Sequence, residues 1–237
     1  MGRPEVPDLQ IGGLPYRSNT FPFQPSDGGS LADILRVQAV DIGSTEIFPI
    51  KLLLRLFTRE RVLAELNDCM IQNAEDYVDL ISSEREGEGD PPYIRIFAIL
   101  VLIEKGHKIA EFVHARHGDE ALPFRRDNTI PNAKRDALLF SKDSDSPIPL
   151  LTSWKPAERE QFESTQWRLL VPYLKLNHDQ TVREYELSER EILPWSLSMV
   201  GEAQSSIPSM AEGAYGKVYC VKIDPDCHSF QDILRSV

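Results

Sequence analysis

The sequence predicts a mainly α protein that ends in a β-hairpin. Three observations carry that expectation. Apolar residues recur at helical spacing from Leu31 to Leu170. Residues Ile94 to Glu104 are apolar on nearly every face, which marks a buried central helix. Near the C-terminal end the pair Gly213 and Gly216 precedes a strand-like run, Lys217 to Ile223.

Residues 1–30 carry Pro4, Pro7, Pro15, Pro22, Pro25 and the pairs Gly12-Gly13 and Gly28-Gly29. That composition predicts a disordered or extended arm. The helical region follows over 31–193. Ser30 can cap a first helix whose stripe is Leu31, Ile34 and Leu35. Thr58 can cap the next segment, in which Val62, Leu66, Cys69, Met70, Tyr77, Leu80 and Ile81 follow at near-helical spacing. This is one long helix or two shorter ones, and its stripe reads as core. Residues 82–92 break it. Glu84, Glu86, Glu88 and Asp90 invite a cation, but they lack the length and order of an EF-hand loop, so a solvated acidic loop is expected.

After the central helix, Gly106 is expected as the stop. Lys108 to Arg116 should form a second helix with Ile109, Phe112 and Val113 inward, ended by Gly118. The two make a helical hairpin. His107, His114 and His117 lie around it without a carboxylate or cysteine at ligand spacing, so they read as surface histidines. Residues 125–153 read as an irregular polar loop. Pro156 suits a first helical turn, with Glu158 and Glu160 near its positive end. Phe162, Leu169 and Leu170 should face inward until Pro172, with Trp154 and Trp167 as packing anchors. Alternation around Arg183, Tyr185 and Leu187 suggests a short strand. Residues 194–206 are expected as a linker and 207–237 as the start of a further domain.

The formal net charge of the 237-residue chain is −11. Nucleic-acid phosphates and anionic membrane surfaces both want a basic face, so neither is expected as a partner. The cysteines Cys69, Cys220 and Cys227 show no pair spacing, which suggests reduced thiols in an intracellular protein of cytoplasm or nucleus. Zinc held by Cys220, Cys227 and His228 would lack a fourth ligand. The first twenty residues hold no apolar run, and Met1-Gly2 is followed by Val6 where a myristoylation site needs Ser or Thr.

The segment Met210-Ala211-Glu212-Gly213-Ala214-Tyr215-Gly216-Lys217-Val218-Tyr219 matches the pattern GxGxxGxV except at its first glycine, where Ala211 stands. Such a loop folds over the phosphates of ATP, and its glycines let backbone N–H groups approach phosphate oxygens. The remaining parts of phosphoryl-transfer chemistry do not follow it. Residues 223–237 contain no lysine, and Lys222 lies too close to Gly216 to sit on a third strand. No His-Arg-Asp or Asp-Phe-Gly occurs; His117-Gly118-Asp119 precedes the loop, and Pro156-Ala157-Glu158 is not Ala-Pro-Glu.

Taken with two further blocks, the chain resembles fungal protein-kinase-like proteins that carry a helical region before the kinase domain. The blocks are Ile96 to Ile103 with its following helix and Leu122-Pro123, then Gln166 to Pro172, then Gly213 to Gly216 through Val221 to Phe230. The resemblance spans most of residues 94–237. It implies the opening hairpin of an incomplete kinase N-lobe, ATP with Mg as cofactor, and Ser/Thr phosphorylation by the complete protein. It also implies a nucleotide site at Ala211, Gly213, Ala214, Tyr215, Gly216 and Val218. Within that site Gly213 and Gly216 would lie near the phosphates, Tyr215 at the loop tip and Val218 over the adenine. No catalytic or metal-binding residue is carried over, so this chain alone is expected to be inactive. The alternative is a non-catalytic helical module that binds an unknown protein partner and keeps a remnant of the glycine loop.

Overall fold

Ser30 opens the first helix in the expected way. In the computed structural model its Oγ accepts a hydrogen bond from the Asp33 N–H at 3.2 Å, and α1 runs Leu31–Gln38 with Leu31 and Leu35 buried. The structure describes residues 29–84, 89–126, 138–142, 146–175, 185–197, 210–213, 216–219 and 221–230. The expected arm over 1–30 lies almost wholly outside them, as does the middle of the acidic loop. After α1 comes a short hairpin, β1 (Val40–Ile42) against β2 (Thr45–Ile47), turning at Gly43 with φ +63°. Helix α2 (Ile50–Leu56) follows and buries Leu52 and Leu53. Neither was expected, because three-residue strands and a seven-residue helix carry too few residues to show a period.

Thr58 caps α3 (Arg59–Asp68), accepting from the Arg61 N–H. α4 (Glu75–Ile81) is separate, so the stripe over 58–81 belongs to two helices. Met70 and Asn73 lie between them at φ 56° and 55°, a backbone that cannot continue a right-handed helix.

Helix α5 (Ile94–Leu102) is the centre of the molecule. Ile94, Ile96, Phe97, Ala98, Ile99, Leu100, Val101 and Leu102 are all buried, with Arg95 the exception. A helix apolar on every face must be surrounded, and α1, α2, α4 and α8 (Pro156–Leu169) pack around it. Its stop is not Gly106. The chain reverses at Glu104, at φ 60°, and the Lys105 N–H reaches the Leu100 carbonyl at 2.7 Å. Gly106 serves a close approach instead: a Cβ there would meet the Cys69 Sγ at 2.6 Å.

The second arm of the hairpin, α6 (Ile109–His114), buries Ile109 and Phe112 and half-buries Val113. It ends through Arg116 at φ 57°, two residues before the expected glycine. Gly118 is needed because a Cβ would come within 2.7 Å of the Pro92 carbonyl oxygen. Phe112 stacks on Phe124 and Phe162, and Trp154 meets Phe112 edge-on.

The stretch 125–153 is not wholly irregular. β3 (Arg125–Arg126) pairs with β4 (Leu139–Phe140), and α7 (Pro149–Thr152) follows. Leu139, Ile148 and Leu151 are buried, isolated apolar residues that hold these short elements to the core without making a pattern. α8 starts at Pro156 as expected, with the Glu158 carboxylate accepting from the Lys155 N–H at 2.9 Å. It buries Phe162, Gln166, Trp167 and Leu169, while Leu170 is half-buried. The Gln166 amide brackets Phe124, donating to its carbonyl at 2.7 Å and accepting from its N–H at 2.8 Å.

Residues 185–188 form no strand; Arg183 lies outside the described residues. The stretch expected as a linker contributes β5 (Trp195–Leu197). The remaining strands are β6 (Met210–Gly213), β7 (Gly216–Tyr219) and β8 (Val221–Ile223). The protein is mainly α: eight α-helices and four two-stranded sheets among the described residues. None of the described helices is long and apolar enough to cross a membrane.

Candidate functional site

The glycine segment forms a tight antiparallel hairpin. Met210 faces Tyr219, Ala211 faces Val218, Glu212 faces Lys217 and Gly213 faces Gly216. Ala214 and Tyr215, between the paired glycines in the sequence, lie outside the described residues. Of the six residues expected at a nucleotide site, the structure thus brings Ala211, Gly213, Gly216 and Val218 into one backbone hairpin. The described pairing spans Met210 to Tyr219, and residues 207–209 lie outside the described residues.

The chain leaving the hairpin changes partner. β7 pairs with β6, whereas β8 pairs with β5, Trp195 facing Ile223 and Ser196 facing Lys222. Lys222 therefore lies not on β7, the strand that leaves the loop, but on the separate strand β8, which the short separation from Gly216 was expected to forbid; the change of partner after Tyr219 makes room for it.

Beyond β8 the chain docks on the helical body. Arg55 on α2 gives Asp226 a two-pronged hydrogen bond, both contacts 2.7 Å. That bond raises the Arg55 pKa above its ordinary value. Lys51, one turn earlier, donates to the His228 carbonyl at 3.1 Å. The Leu174 N–H donates to the Cys227 carbonyl at 2.8 Å, and the Ser229 N–H donates back to Leu174 at 3.0 Å. Cys227 is buried against Ile47 and Val171. Burial pushes its thiol up to about 12 and that of Cys69 up to about 11, so both are inert thiols at neutral pH. The Asp224 carboxylate, raised by burial, accepts from the Asp226 N–H at 2.9 Å and folds the segment into its turn.

Other expected chemistry finds structural roles. Asp119 of the His117-Gly118-Asp119 triplet caps α5 from a distance, accepting from the Arg95 and Ile96 N–H groups, both at 2.9 Å. Burial outweighs those two donors and pushes its carboxyl up to about 7. His114 meets the Tyr77 hydroxyl at 3.4 Å, and the Nδ1 of His228 accepts from the Phe230 N–H. Cys220 lies outside the described residues. No group of three or more His, Cys, Asp or Glu placed to hold a metal occurs among the described residues.

A second feature is announced by no sequence motif. Arg125, Arg126, Trp167, Ser188, Glu189 and Arg190 line a cleft of about 400 Å³, and a space of about 500 Å³ adjoins it past Glu160 and Ile192. The Glu163 carboxylate, its side chain only 8% exposed, holds Arg126 on one side and Arg190 on the other. These residues come from three stretches separated by tens of positions, so no motif spacing could join them. The one local signal is a charged residue beside Phe162 on a face of α8 that the structure buries. Arg55 and Asp226 are likewise far apart in the sequence and carry no local sign of pairing.

No family model matches this chain, and neither the curated proteins nor the solved structures contain a match.

Proposed function

We propose that this chain is the N-terminal part of a protein-kinase-domain protein, in which the helical body braces the strand leaving the glycine hairpin. The observation that carries the reading is the anchored exit of that hairpin. Gly213 and Gly216 pair with each other across the hairpin, and ten and twelve residues after Gly216 the chain is pinned to α2 by Asp226 and the His228 carbonyl. A glycine loop acts on phosphates only if its strands are held in place, because positioning supplies most of phosphoryl-transfer catalysis. The complete protein would bind ATP with Mg and phosphorylate Ser or Thr.

Within these residues the phosphate-holding lysine, the catalytic aspartate and the metal-binding aspartate have no counterpart, and a loop alone cannot replace them. The purified 237-residue chain is expected to transfer no phosphate from radiolabelled ATP to a generic protein substrate. Turnover that co-purifies with the chain and is lost in Gly213→Val would overturn that expectation. The kinase reading itself is tested on the transcript. The expected outcome is an open frame past the Val237 codon encoding a lysine-bearing strand, then His-Arg-Asp and Asp-Phe-Gly. A stop codon directly after Val237 would overturn it. Ala211, in place of the first glycine, favours the second reading, a non-catalytic helical module with a protein partner; a stop codon there would leave that reading standing.

A further inference from the structure

Segment 185–192 has no regular structure, yet three hydrogen-bonded contacts order it, one of them to α8. The Lys175 N–H donates to the Tyr185 hydroxyl at 2.8 Å, Arg190 pairs with Glu163, and the Glu191 N–H closes a turn on the Ser188 carbonyl at 3.0 Å. Ser188 heads that turn, its Oγ accepting from the Arg190 N–H at 3.4 Å. It also lines the cleft with Arg125, Arg126 and Arg190.

The three arginines and three glutamates around this hydroxyl are equal in number but unequal in burial. One buried carboxylate, Glu163, serves two guanidiniums. Glu160 stands 3.9 Å from Arg126 but is two-thirds exposed, at 67%, and Glu189 is also exposed, so water and salt screen both. The Arg125 guanidinium is exposed and makes no hydrogen bond or ion pair among the described residues. A pocket with several guanidiniums, a hydroxyl on an accessible loop and room for more atoms suits one ligand chemistry above others. That ligand is a phosphomonoester, which brings about −1.5 to −2 charges and three acceptor oxygens.

We propose that Ser188 is a phosphorylation site and that the arginine cleft receives its phosphate. The flanking sequence is acidic, with Glu186 before it and Glu189 and Glu191 after it. In the transfer step the Ser188 Oγ attacks the γ-phosphorus of ATP in the active site of a separate Ser/Thr kinase. The Oγ–P bond forms, the bond from the γ-phosphorus to the β,γ-bridging oxygen breaks, ADP leaves, and the hydroxyl proton passes to that kinase's base. The attached phosphate then accepts hydrogen bonds from Arg125 and from the Arg190 edge not engaged by Glu163. It also lies at the head of the 188–191 turn, where the Arg190 N–H already donates to the Ser188 Oγ. The result is a clasp that fastens segment 185–192 to β3 and α8. This inference does not depend on the chain being part of a kinase.

Two arms test it on the full chain. In the first, the protein is treated with Mg-ATP and a serine kinase that prefers acidic residues after its acceptor, and phosphate is mapped by mass spectrometry. Phosphate on Ser188, with none at that peptide in Ser188→Ala, is expected; phosphate only elsewhere would overturn the modification site. In the second, phosphoserine is encoded at position 188. Its second pKa, read by ³¹P NMR, should fall below the ordinary value of about 6 and return toward it in Arg125→Ala. Arg125 is exposed, so that variant keeps its fold. Hydrogen exchange over 189–192 should slow on phosphorylation and recover in the same variant. A phosphate that titrates at about 6 with Arg125 present would show that the cleft does not receive it.

Discussion

Eight of the nine residues of α5 are buried, and their neighbours come from several other helices. The segment Asp224 to Ser229 is held by two guanidinium hydrogen bonds, one ammonium–carbonyl bond, three backbone bonds and one buried cysteine side chain. The two regions fail in different ways. A close-packed interior loses the transfer energy of deleted atoms and gains a cavity, so damage there spreads. A segment fixed by a few surface-reaching polar contacts can lift away while the helices stay folded. The helical body is therefore the cooperative unit, and the segment 224–229 is attached to it.

The strongest test of that contrast is at the centre. Leu100 is fully buried, and Leu100→Ala should cost about 2–5 kcal/mol. An unchanged midpoint in chemical denaturation would mean that α5 is not central.

Asp119 tests the same region by pH. Its folded pKa, about 7, lies above the ordinary 3.8, so between about pH 4 and 7 the folded state holds more protons than the unfolded one. Its contribution to stability must therefore fall as pH rises through that window and stay low above it. Asp119→Asn does not titrate and keeps one acceptor for the α5 cap. Relative to the parent, the variant should gain stability from pH 4.5 to 7.5, by about 1.4 kcal/mol for each unit of displacement. A stability gap that does not change with pH would show that Asp119 stays ionised.

Gly106 tests how tightly the two arms of the hairpin sit against α3. Gly106→Ala should cost about 1–3 kcal/mol, since the new methyl group would lie 2.6 Å from the Cys69 Sγ. Adding Cys69→Ala should recover most of the loss, because the offending atom is then gone. Additive losses in the double variant would place the strain elsewhere.

These residues also show what could be read from the sequence. Caps and long periodic stretches were legible: Ser30, Thr58 and Pro156 each open the helix expected of them, and α5 is buried all round. Such features depend on neighbours three or four positions away. Stops were less legible. Spacing marks Gly106 and Gly118 as terminators, yet non-glycine residues at positive φ, Glu104 and Arg116, end α5 and α6. The glycines are there for clearance from Cys69 and Pro92, partners that only the folded chain brings near. The hairpin's glycine pair was legible as a turn. Its anchor was not, since Arg55 and Asp226 meet across 171 positions.

That anchor yields the smallest expected effect on global stability and the sharpest one locally. Arg55 is more than half exposed, at 57%, so its bond to Asp226 is worth about 1 kcal/mol at most to the whole fold. In Asp226→Ala the denaturation midpoint of the helices should hardly move. The amides that depend on the docked segment should respond: the Leu174 N–H, bonded to Cys227, and the Ser229 N–H, bonded to Leu174, should exchange faster with solvent. Amides of α5 should exchange as before. If the variant instead unfolds the helical body at a lower denaturant concentration, the C-terminal segment is part of one cooperative unit. The distinction between core and attached strand would then have to be abandoned.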